Sequence, residues 1–171
     1  EPGTEEMTVA ATPEITDWQT FLAYVEAIGR EDHDYETIVV DTAGALYAMC
    51  HEHVCKLNGW GDVDDGAHGR GWRKVKDAWT QGMNALRTVK RKDGRPLCVV
   101  LLDHERAGTI TIQRGSRTID TGRSFITSAL PGAGRKILHG MVQQIWHLST
   151  GPKGERLIRT QPTTGEGPSD I

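Results

Sequence analysis

One carboxylate follows a run of apolar residues that offers it no packing partner. Thr37-Ile38-Val39-Val40-Asp41-Thr42-Ala43-Gly44 is a β-branched stretch ending in an acid and a hydroxyl, and helix-forming residues follow. Such a run predicts a central strand of a parallel sheet, buried on both faces, with Asp41 at its carboxyl end. Open α/β sheets bind ligands in the crevice outside the carboxyl ends of their strands, where an Asp can hold a hydrated Mg²⁺ on a nucleotide. The competing reading is an Asp that only caps the following helix.

A second apolar run, Leu97 to Leu102, ends in Asp103-His104-Glu105-Arg106. In a parallel sheet His104 shares the crevice of Asp41, where an imidazole can sense a γ-phosphate or an attacking water; the plainer reading is a solvated loop histidine. A metal-dependent nuclease or hydrolase is a further reading, and it requires Asp41, Asp103 and His104 to converge on one ion. Two other segments carry less. Cys50-His51-Glu52-His53-Val54-Cys55 pairs His51 with Cys55 and Cys50 with His53 on a helix, but the pairs point apart. Zinc needs four converging ligands, so a partly buried helix with exposed histidines is the expectation there. Gly132-Ala133-Gly134-Arg135-Lys136 is no phosphate-binding loop, and no segment of the chain reads Gly-x-x-x-x-Gly-Lys-Ser/Thr.

Elements that position these residues are legible from periodicity. Thr16-Asp17 caps a helix on which Trp18, Phe21, Leu22, Val25 and Ile28 recur at helical spacing. Ala45 to Leu57 reads as a second helix. Trp72, Val75, Trp79, Met83, Leu86 and Val89 form the stripe of a third. Arg87, Lys90, Arg91, Lys92 and Arg95 gather at its end, where cations complement the helix dipole. The Gly- and Asp-rich stretch Asn58 to Gly71 is too long for an ordinary connector and is either mobile or functional. Thr109 to Ile112 and Arg117 to Ile119 alternate as a hairpin around Arg114-Gly115-Ser116. A short helix opens at Pro131 to Lys136, and Gln144 to Leu148 and Arg156 to Thr160 form a closing antiparallel pair. Residues from Thr163 onward have the composition of a disordered tail. Helices between apolar strands make an α/β sheet the expected architecture.

The 171 residues suggest one domain. With 20 Lys and Arg against 23 Asp and Glu the net charge is −3, so any nucleic-acid contact must be local. Three cysteines without a disulfide-like framework fit a reducing cytosol. No apolar stretch reaches the roughly 18 residues that span a bilayer, and no signal peptide is visible. A beginning at Glu1-Pro2-Gly3-Thr4 without Met suggests that a natural amino-terminal part precedes it.

Taken in order, Thr37 to Tyr47, His68-Gly69-Arg70-Gly71-Trp72, the strand ending at His104, Leu130-Pro131-Gly132-Ala133-Gly134-Arg135 and Leu157-Ile158-Arg159-Thr160-Gln161-Pro162 resemble the phage-encoded AAA-type ATPases with a RecA-like core. Some of that group act as single-strand annealing recombinases. The resemblance implies an α/β fold, a RecA-like P-loop NTPase core over residues 1–162 that is incomplete at its amino end, with a mainly parallel sheet flanked by helices and antiparallel strands at the carboxyl end. It implies ATP and Mg²⁺ as cofactors, with Asp41 as the Walker B carboxylate, Thr42 beside the nucleotide, His104 as sensor and Glu1 where the water-activating Glu would stand. Arg159 becomes a cation reaching a neighbouring subunit's phosphate. The implied partners are single-stranded DNA, further copies of the chain and a single-stranded-DNA-binding protein, in the cytoplasm of a bacterial host and away from membranes. DNA would contact local cations, Arg114 and Arg117 in the hairpin and Arg135 with Lys136 in a loop before the late helix, and exposed aromatics such as Trp60 or Trp72. The family's phosphate-binding loop is missing from the sequence, which suggests a piece of a longer ATPase; a catalytically inactive RecA-like module for DNA binding or oligomerisation is the alternative.

Overall fold

Asp17 starts the first helix: its carboxylate accepts the Thr20 backbone N–H at 2.9 Å, and that bond holds the carboxyl below its ordinary value. The computed structural model describes residues 12–162, so Glu1 and the segment from Thr163 lie outside the described residues. The element order is α1 (Trp18–Arg30), β1 (Thr37–Asp41), α2 (Ala43–Asn58), two short 3-10 turns (Val63–Asp65 and Ala67–Gly69), α3 (Arg70–Thr88), β2 (Cys98–Leu102), β3 (Glu105–Arg114), β4 (Arg117–Ser128), α4 (Gly132–Met141), β5 (Gln144–Thr150) and β6 (Arg156–Pro162). The chain divides into two compact units, Glu1–Pro131 and Gly132–Ile171. Among the described residues no helix is long and apolar enough to cross a membrane.

The first unit takes its core from three helices. Trp18 and Trp79 lie 5.8 Å apart, Tyr47 meets Trp79 edge-on at 5.1 Å, and Val75, Met83 and Leu86 complete the α3 stripe. Gly82 permits this approach, since a Cβ there would stand 2.3 Å from the Trp18 ring. Trp72 departs from the expected stripe and is 45% exposed. The segment Asn58 to Gly71 has a small core of its own: Val63 is buried, Asp62 and Asp65 form a capping box, and Gly71 lies so close to the Val63 carbonyl that a Cβ would be 1.9 Å from it.

Sheet structure is mixed. β1 and β2 pair in parallel from Thr37↔Cys98 to Asp41↔Leu102, whereas β3–β4 and β5–β6 are antiparallel pairs. The described sheets are thus small and mostly antiparallel, where the sequence predicts a mainly parallel one. The antiparallel pair at the carboxyl end is as expected. Nor is β1 buried on both faces: Ile38 and Val40 are half-buried, but Val39 is 58% exposed, because its face has no layer against it among the described residues. On β2, Leu102, the partner of Asp41, is also open at 42%.

Candidate functional site at the strand ends

β1 delivers Asp41 to its carboxyl end, and the chain turns at once into α2. The turn is made by Thr42, whose Oγ1 accepts the Ala45 backbone N–H at 3.2 Å. Thr42 is therefore the helix cap, and the Asp41 carboxylate stays exposed instead of capping α2 itself. Parallel pairing with β2 sets Asp41 level with Leu102, so Asp103 and His104 follow on the same edge. Asp41 and His104 both stand at the carboxyl ends of this pair, and both side chains are exposed.

Asp103 is the residue that spacing undervalues. One of its oxygens accepts the hydroxyl of Ser128, whose Oγ in turn accepts the Leu130 N–H at 3.1 Å. The other, Oδ1, is buried and has no hydrogen-bond partner. The Ala129 N–H also bonds the His104 carbonyl at 2.8 Å, so the root of the β3–β4 hairpin is tied to the end of β2 on both sides of His104. Ser128 lies 25 residues from Asp103, and no local pattern announces the pair.

Of these residues Asp41 fits a hydrated Mg²⁺. Mg²⁺ takes oxygen donors, keeps several waters and is commonly held through one or two carboxylates and substrate phosphates; the exposed Asp41 is a donor of that kind at the sheet end, whereas Asp103 Oδ1 is closed to solvent. Among the described residues no three His, Cys, Asp or Glu side chains converge on a common point, so the convergence that the nuclease reading requires is not met.

The remaining candidates are placed elsewhere. Arg114 and Arg117 face one another across the hairpin end, beside Gly115 at φ 62°. Arg135 and Lys136 sit inside α4 and not in a preceding loop, because the helix begins at Gly132; Arg135 is half-buried with Nη1 lacking a partner, and Lys136 is exposed. Arg159 is cross-strand from His147 on the β5–β6 pair. All three belong to the second unit. Trp60 is half-buried with the Lys74 ammonium 5.3 Å from its ring centroid, and the Trp72 indole N–H donates to Asp64 at 2.7 Å. His51 and His53 are half-buried where exposure was expected, since His51 packs on Trp72 with ring centroids 5.7 Å apart. Burial pushes the Cys50 thiol up to about 12, which keeps it protonated and a poor metal ligand.

A cavity of about 390 Å³ lies at the other end of the parallel pair, lined by Asp32, His33, Asp34, Arg91, Lys92 and Asp93. Its cations are already engaged. Arg91 donates to the carbonyls of His33, Asp34 and Tyr35 at 2.9, 3.3 and 3.5 Å, Lys92 pairs with Asp32 at 2.5 Å, and beside the cavity Arg95 pairs with Asp93 at 2.8 Å. Arg91 and Lys92 of the basic cluster after α3 therefore fasten the loop that enters β1, a use that helix-dipole reasoning does not foresee.

A family model described as an AAA domain matches residues 1–166. The chain belongs to this AAA-domain family. No curated protein and no solved structure matches it. An AAA domain implies nucleotide binding with a metal, and the exposed strand-end carboxylate of Asp41 is where this AAA-domain chain offers a donor for one.

Proposed function

We propose that this chain is the Mg²⁺-carboxylate and sensor portion of a phage RecA-like ATPase that acts on single-stranded DNA in recombination or annealing. The observation that carries the reading is that Asp41, level with Leu102, and His104, two residues beyond Leu102, follow the carboxyl ends of two paired parallel strands within an AAA-domain chain. Mg²⁺, when bound, neutralises charge on the transferring phosphate oxygens. Asp41 accepts hydrogen bonds from the waters of that ion. His104 orients a phosphate oxygen or the attacking water, and the bonds around Ser128 and Ala129 keep its backbone in place. Arg159 is the cation offered to a neighbouring copy in a homo-oligomer. Arg114 and Arg117 supply a local basic point for the DNA backbone, since like charges placed opposite each other repel unless an anion lies between them. A single-stranded-DNA-binding protein is the partner this activity would work with, in the cytoplasm of a bacterial host.

The sequence holds no Gly-x-x-x-x-Gly-Lys-Ser/Thr loop, so in this reading the phosphate cradle comes from polypeptide additional to these 171 residues. The same observation favours the second reading, a RecA-like module that binds DNA or oligomerises without hydrolysis. Calorimetry and turnover separate them. The 171-residue chain alone is expected to bind ATP more weakly than micromolar. Extended with an upstream segment that carries such a loop, it is expected to hydrolyse ATP, and Asp41→Asn lowers turnover on the order of 10²-fold without loss of fold. Micromolar ATP binding by the chain alone, or wild-type turnover in Asp41→Asn at saturating Mg²⁺, overturns the reading.

A further inference from the structure

β5 inverts the usual alternation of a half-covered strand. Its exposed positions include Trp146 and Leu148, 57% and 62% open, while the half-buried positions include His147 and Ser149. The register continues this face onto β6: Leu148 is paired with Ile158, itself 61% open, Trp146 with Thr160, and Thr150 with Arg156. One side of the antiparallel pair is therefore an apolar strip with a cation at its turn end. Apolar side chains gathered on one exposed face mark a contact surface, which single exposed ones do not. The Trp146 indole N–H already donates to Gln144 at 2.9 Å, so the faces of its ring are what it has left to offer.

The charge of this arm decides what fits the strip. Residues 144–162 hold Lys153, Arg156 and Arg159 against one acid, Glu155, in a chain of net charge −3. The Glu155 carboxylate serves its own turn, where it accepts the Lys153 backbone N–H at 2.9 Å. Among the described residues none of the three cations has an ion-pair partner. A second copy laid on the strip would bring one excess of positive charge onto another. Single-stranded nucleic acid carries both complements in one molecule, phosphates for the cations and unpaired bases for the indole. We propose that the Trp146 face of β5–β6 is a base-stacking surface for single-stranded nucleic acid, with Trp146 and the Leu148–Ile158 pair against bases and Arg156 on the phosphate backbone about 13 Å along the strand from Trp146. This rests on the single-stranded-DNA reading above and adds to it contacts with bases, which Arg114 and Arg117 do not supply. Arg159 stands on the opposite side, paired with His147, and keeps the role given to it.

The test is the fluorescence anisotropy of a labelled oligothymidylate, with an abasic strand of equal length beside it, titrated with the 171-residue chain at several salt concentrations; circular dichroism confirms that each variant is folded. Trp146→Ala is expected to weaken oligothymidylate binding by about fivefold or more at an unchanged salt slope, and to leave the affinity for the abasic strand as it was. Trp146→Phe, which keeps an aromatic face, is expected to retain most of the affinity. Arg156→Gln is expected to flatten the salt dependence by roughly 0.7 of a unit on both strands. Wild-type oligothymidylate affinity in Trp146→Ala, or an equal loss on the abasic strand, overturns the stacking surface and leaves the single-stranded-DNA reading with its hairpin arginines intact. A wild-type dimer in sedimentation that Trp146→Ala dissociates, with DNA binding unchanged, gives the strip to a second copy and overturns the proposal likewise. Failure of the wild-type chain to bind either strand at about 100 μM and low salt overturns the single-stranded-DNA reading itself, and this surface with it.

Discussion

The helical layer and the β3–β4 hairpin are opposite solutions to chain organisation within one unit. In the helices, Trp18, Phe21, Tyr47, Val75, Trp79, Met83 and Leu86 are each at most 5% exposed and pack as one aromatic and aliphatic core. In the hairpin, Ile112 and Ile119 face each other across the strands yet remain 47% and 38% exposed. The hairpin is held at its root, by Ser128 on Asp103 and Ala129 on His104. The buried side chains of the described residues are thus concentrated in α1 to α3, while the residues suited to chemistry sit on strand ends and on an arm whose Ile112 and Ile119 are open. Sites commonly occupy such positions, where side chains reach ligands and a separate scaffold holds the backbone.

The contrast is broken first at Trp79. Trp79→Ala removes the ring that joins Trp18 to Tyr47 and is expected to cost about 3–5 kcal/mol, a large part of an ordinary domain's stability, measured by denaturant unfolding. A loss below about 1 kcal/mol would mean that the helical layer does not carry the fold. At the hairpin end the effect falls on binding and leaves folding alone. Neutralising Arg114 and Arg117 together is expected to leave the unfolding midpoint unchanged and to flatten the salt dependence of single-stranded DNA binding by about one to two units of slope, because each lost phosphate contact removes roughly 0.7. Titrations at several salt concentrations check it, and an unchanged slope moves the DNA surface off the hairpin. The smallest effect is in α4 of the second unit. Burial, aided by the Arg135 charge, holds His139 below its ordinary value of 6.5. The folded state then binds fewer protons than the unfolded chain, so this contribution to stability is present above pH 6.5 and is lost as pH falls through the lower folded value. Hydrogen exchange of α4 is expected to quicken between neutral pH and pH 5 beyond the intrinsic pH dependence, and His139→Gln to remove that excess.

Much of this arrangement is written locally. The three- and four-residue spacing of Val75, Trp79, Met83 and Leu86 determines α3, the β-branched run determines β1, and the hydroxyl after Asp41 determines where α2 begins, because each depends on residues within a few positions of one another. The presence of Asp41 and His104 at strand ends follows from the same patterns. What only the tertiary structure decided involves residues far apart or layers that spacing does not encode. The parallel register that sets Asp41 level with Leu102 joins segments about sixty residues apart. Ser128 reaches Asp103 by the return of a long hairpin, and Arg91 reaches the carbonyls before β1 by the packing of two connections. The openness of Val39 depends on which layers cover a sheet, and an apolar run reads the same whether one face is covered or two. Local periodicity specifies which way a side chain points along its own element, whereas its partner is specified by the elements that chain topology brings beside it.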